Sequence, residues 1–86
     1  MNKTKKESIY SKLHFKKRML DREKLNITDK QYNAIKAKIG SGEARLIEKE
    51  SNSRYHYVVD FKGRELHVVF NRKSRVLVTV IPRSKL

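Results

Sequence analysis

Residues 54–71 read RYHYVVDFKGRELHVVFN, and no other stretch limits the fold so tightly. Apolar and polar residues alternate on either side of Lys62-Gly63, a two-residue signal for a tight hairpin. Closing the hairpin there sets Val59 opposite Leu66 and Tyr57 opposite Val68. Tyr55, Tyr57, Val59 and Phe61 then share one face with Leu66, Val68 and Phe70, a surface able to form a core. His56, Val58, Asp60, Glu65, His67 and Val69 take the other face. A slip of one residue would exchange the two sets, so the register is strongly specified.

The flanking segments complete the architecture. ARLIEKE (44–50) reads as a first strand, SNS (51–53) as the turn after it, and residues 75–81 as a last strand ending at Pro82. Upstream the period lengthens. Residues 5–25 lack Gly and Pro and are rich in good helix formers. Ile9, Leu13 and Leu20 fall on one side at helical spacing, interrupted by Lys16, and Phe15 and Met19 widen that side. TDKQ (28–31) has the form of a capping box opening a second helix, with Tyr32, Ile35 and Ile39 as its buried stripe. Gly40 is the expected stop, and GSG (40–42) the turn. The expected fold is α+β: two N-terminal helices packed on one face of a four-stranded, mainly antiparallel sheet. Residues 1–86 make a single domain, with 1–4 as a flexible basic tail. The second sheet face is either the solvated side of an antiparallel sheet or the floor of a nucleic-acid site.

Composition narrows the function. The formal net charge is +13, which attracts polyanions: nucleic acid first, then an anionic membrane surface or an acidic protein. The charge is also unevenly placed. Residues 71–86 carry Arg72, Lys73, Arg75, Arg83 and Lys85 with no acid, whereas EARLIEKE (43–50) is locally acidic. The absence of Cys excludes disulfides and thiolate metal sites, and suits a reducing compartment. The longest apolar run, VLVTVI (76–81), is too short to cross a bilayer, and no apolar segment of signal-peptide length follows the charged N-terminus. A soluble, cytoplasmic protein that does not engage membranes is expected. His56 and His67 have no acidic ligand set at a metal-binding spacing, and no phosphate-cradling glycine loop or nucleophile elbow is present. Neither a metal nor a cofactor is expected.

His14, Arg18 and Arg22 recur every fourth position, which makes them a stripe on the first helix. At about 100° per residue they lie roughly opposite Ile9, Leu13 and Leu20, so the helix can simply present them to water. They form a site only if that helix edge borders the sheet or another chain.

HFKKRMLDR (14–22) resembles the HxxxRMxxR signature of the domain-of-unknown-function 4258 family of small bacterial domains. The resemblance continues through NITDKQYNAI (26–35), similar to the family's link and capped second helix. It extends to YHYVVDFKGRELHVVF (55–70), where the family has a glycine turn before a strand of the type P-L-H-V-V, and to VLVTVIP (76–82). It covers about 70 residues, from His14 to Pro82. REKLNI (22–27) is longer than the usual R-G-I link, and Glu65 stands in place of the common proline.

The helix–helix–sheet arrangement is also similar to the barnase, colicin and RelE-like ribonuclease toxins. That likeness implies a toxin-like, metal-independent endoribonuclease of a toxin–antitoxin pair, with an acidic antitoxin or inhibitor protein as partner. It rests on fold analogy. Such cleavage needs a base for the 2′-OH proton, an acid for the leaving 5′ oxygen, and cations around the phosphorane. On this reading His14 is general acid or base, Arg18 holds the scissile phosphate, and His67 is a second proton-transfer or base-contacting group. Thr79, the polar interruption of an apolar strand, would position the phosphate or nucleophile. Lys17, Arg22, Arg64, Arg72, Lys73, Arg75 and Arg83 would contact RNA. The rival is a non-catalytic nucleic-acid binder, phage- or plasmid-encoded, that grips phosphates with the same basic surface.

Overall fold

Helix formers without an internal Gly or Pro carry the chain through a 22-residue helix, α1 (Asn2–Glu23). The computed structural model describes residues 2–85, with side chains described for 11–82, 84 and 85. The backbone at residues 2–4, expected as a tail, is the start of this helix. Lys24 ends it in the left-handed conformation (φ 58°), its N–H bonded to the Leu20 carbonyl at 3.1 Å.

The second helix, α2 (Asp29–Gly40), opens on the expected capping box. Gln31 N–H donates to Thr28 Oγ1 at 3.1 Å, and Thr28 N–H donates to Gln31 Oε1 at 2.9 Å. Its close differs from expectation. Gly40 is still helical, and the left-handed residue is Gly42 (φ 86°). Gly42 N–H bonds Ile39 O at 3.3 Å and Glu43 N–H bonds Lys38 O at 2.9 Å, the paired bonds of a Schellman cap. Gly42 therefore does the work assigned to Gly40, because that cap needs positive φ one residue beyond Ser41.

Four strands follow, β1 (Arg45–Lys49), β2 (Arg54–Phe61), β3 (Arg64–Asn71) and β4 (Val76–Val80), antiparallel in the order β1-β2-β3-β4. Val59 faces Leu66 and Tyr57 faces Val68, as the hairpin pattern requires. Lys62 (φ 52°) and Gly63 (φ 79°) both have positive φ, the requirement of a type I′ turn. One bulge lies between Leu46 and Glu48, another where Val69 and Phe70 meet Thr79 and Leu77.

Both helices cover the same sheet face. Phe15, Met19, Tyr32, Ile35 and Ile39 pack with Val59, Phe61, Leu66, Val68, Leu77 and Val80 in one core. Tyr32 locks α2 to β4, its hydroxyl accepting the Leu77 N–H at 3.3 Å, and Phe15 meets its ring edge-on at 5.6 Å. The buried stripe of α1 is not the expected one. Phe15 and Met19 are wholly buried and Glu23 is 5% exposed, whereas Leu13 is 62% and Leu20 46% exposed. The Ile9 side chain lies outside the described residues. The face chosen is the one whose ring and thioether fill the space over β4, and Arg64 neutralises Glu23 at its end (Nη2–Oε1 2.7 Å). No helix among the described residues is long and apolar enough to cross a membrane.

Candidate nucleic-acid interface

Rotating α1 onto Phe15 and Met19 changes the meaning of its basic stripe. His14 and Arg18 each sit one residue before a buried position, so they flank the core about 100° away instead of pointing directly outward. The expectation that they lie opposite the buried side is therefore corrected. The stripe borders the edge of the sheet at β4. Arg22 Nη1 donates to Thr79 Oγ1 at 3.1 Å and to the Val80 carbonyl at 2.7 Å, fastening helix to strand. Arg18 Nη2 lies 3.1 Å from His14 Nε2. A guanidinium only donates, so Nε2 accepts in this contact.

Two shallow concavities meet at His14. One, of about 270 Å³, is lined by His14, Lys17, Arg18, Asp21 and Arg22. The other, of about 320 Å³, joins Ser11 and His14 to Arg54, Asn71, Ser74, Val76 and Val78. Arg54, Asn71 and Val76 are successive cross-strand partners, so the sheet register delivers Arg54 to the helix edge. Arg54, Asn71 and Ser74 were not anticipated as site residues. Arg54 belongs to the basic surface, but nothing in its local sequence ties it to His14, 40 positions earlier.

Five proposed site residues thus form one strip: His14 with Arg18, Lys17 beside them, and Arg22 with Thr79. His67 is elsewhere. Its Nδ1 lies 2.8 Å from His56 Nε2 across β2 and β3. Burial and the neighbouring His67 push the His56 pKa below its ordinary value, against a smaller upward pull from Glu50 and Glu48. Val58 faces His67 and Val69 faces His56 in the register, and both valines are nearly buried on this second sheet face.

The remaining basic residues divide by surroundings. Arg64 pairs with the buried Glu23, a structural commitment. Arg72 lies over the Tyr55 ring, 4.9 Å from its centroid. Arg72 and Arg75 line a third concavity with Ile39, Gly40, Tyr57 and Phe70. Lys73 is exposed in the β3–β4 turn, which is tied by Asn71 Oδ1 accepting the backbone N–H groups of Lys73 and Ser74 at 2.9 and 3.0 Å. The Arg83 side chain lies outside the described residues. Among the described residues, no three His, Cys, Asp or Glu side chains gather to hold a metal ion. Set against family models, characterised proteins and solved structures, the chain matches none.

Proposed function

We propose that the protein is a cytoplasmic, RNA-acting endoribonuclease of the toxin-like type, cutting without a metal at the seam between α1 and β4. The observation that carries this reading is the strip itself: an imidazole hydrogen-bonded to one arginine, a turn away from a second that grips the edge strand. Arg18 turns from His14 Nε2 to the phosphate, and the freed nitrogen takes the proton from a ribose 2′-OH. The freed oxygen attacks phosphorus, the bond to the 5′ oxygen breaks, and the leaving oxygen is protonated from solvent. Arg18 and Lys17 face the charge that builds on the phosphorane, where a preorganised cation acts most strongly. Arg22 and Thr79 hold the strip to the sheet. The likeness of residues 14–22 to the HxxxRMxxR signature supports the reading, as does the +13 charge. An acidic inhibitor protein is the expected partner.

The second reading is a non-catalytic RNA binder, favoured by the engagement of His67 with His56, which commits the histidine expected as a second proton-transfer group to a contact within the sheet. One experiment separates the two. Wild type and His14→Ala are incubated with a labelled RNA in EDTA. The enzyme reading expects a 2′,3′-cyclic phosphate product, a loss of about 10²–10⁴-fold in the variant, and little change in RNA affinity. Intact RNA with a salt-sensitive gel shift for both proteins establishes the binder instead.

A further inference from the structure

The third concavity differs in kind from the two at His14. Helical cover ends at Gly40, and beyond it the helix-facing side of the sheet is covered only in part. Tyr57 and Phe70 are left half-buried there, packed edge-to-face with centroids 6.3 Å apart at 74°. Such a pair forms a corner, one ring face beside one ring edge. Tyr55 backs this pair, stacked on Tyr57 at 6.4 Å, and is itself covered, with Lys49 and Arg72 over its ring. Arg75 completes the rim from a left-handed turn position (φ 57°). Among the described residues no carboxylate lines this concavity, whereas the helix-side concavity at His14 includes Asp21.

We infer that the corner formed by Tyr57, Phe70, Arg72 and Arg75 is a stacking site for one base of single-stranded RNA, with Arg72 and Arg75 on the adjoining phosphates. Size supports a single base. The concavity measures about 240 Å³, below the roughly 300–1,000 Å³ of sites that enclose a whole ligand. Aromatic faces beside cations are what single strands need, because every base offers a π-face and every linkage a negative charge. An acidic protein would use the cations but would leave the rings unexplained. The β3–β4 turn also joins the two regions: Asn71 and Ser74 line a concavity at His14, while Arg72 and Arg75 line this one. A strand crossing that turn would have one base anchored in the corner and a downstream phosphate at His14. The inference rests on the reading of the chain as an RNA-acting protein.

The test compares binding of two fluorescein-labelled probes of about twelve nucleotides, within the range one binding face covers. The first is a 2′-fluoro RNA, which lacks the attacking hydroxyl; the second is an abasic sugar–phosphate chain of equal charge. Wild type is expected to prefer the first. Tyr57→Leu and Phe70→Leu should each weaken it about tenfold, leaving the abasic chain unaffected. Arg75→Asn, which tolerates positive φ, should weaken both probes alike and flatten the salt slope by about 0.7. Because the ring variants touch the core, a wild-type experiment stands beside them: photocrosslinking of a 5-iodouridine RNA should label Tyr57 or Phe70. Equal wild-type affinity for the two probes, or crosslinks confined to other residues, overturns the stacking site even if RNA is cleaved. Base-dependent binding lost in Tyr57→Leu, with no cleavage by wild type, sustains the stacking site and removes the enzyme. No binding of either probe removes both.

Discussion

His56 and His67 share one hydrogen bond across β2 and β3, and that bond needs at least one neutral ring to accept. Burial and the neighbouring His67 lower the His56 pKa from its ordinary 6.5. The unfolded chain therefore binds more protons than the folded one between the lowered value and 6.5. The stability from neutral His56 is complete above 6.5 and is lost as pH falls through the folded value. Thermal melts should show Tm falling as pH drops below 6.5, and a clearly smaller fall in His56→Gln. An unchanged fall in that variant would place the proton uptake elsewhere. Asp29 does not confuse this window. A hydrogen bond from Lys16 and the charges of Lys16 and Lys12 hold its carboxyl below the usual 3.8, so its contribution is lost only at lower pH. The hairpin register, legible in the sequence, already makes the histidines diagonal neighbours on one face; what it does not give is the side-chain orientation that joins their rings.

At the scale of elements, α1 shows where pattern reading loses its way. The helix carries two apolar rows, Leu13 with Leu20 and Phe15 with Met19, and its own periodicity does not rank them. β4 does, by offering a surface that Phe15 and Met19 fill completely. Met19→Ala should therefore cost about 2–5 kcal/mol in urea denaturation, whereas Leu13→Ser and Leu20→Ser should stay within about 0.5 kcal/mol. The reverse ranking would mean that α1 is rotated from the position described. In contrast, α2 was legible, because Thr28, Gln31, Tyr32, Ile35 and Ile39 all specify the same helix from local chemistry. The hairpin was legible for the same reason: two positive-φ turn residues and an alternating pattern leave one register.

For the whole molecule the +13 charge is the dominant long-range force. Its radius of gyration is 12.2 Å, so at about 0.01 M salt, where the Debye length is about 30 Å, every cation repels every other. At about 0.15 M the length shortens to about 8 Å and repulsion becomes local. Tm should rise by several degrees over that interval in sodium chloride, and a flat response would show the native charges to be compensated. What the sequence determined by itself was the element order, the hairpin register, the capped second helix and the net charge. Each of these follows from residues close in the chain or from a simple sum. Tertiary structure decided which face of α1 is buried, and with it that His14 and Arg18 flank the sheet edge. It also decided that Arg22 reaches Thr79, that Arg54 joins His14, and that His67 turns to His56. Those contacts join residues from 11 to 58 positions apart. Packing volume, bulge position and strand order fix them, and none of these is written in a local period.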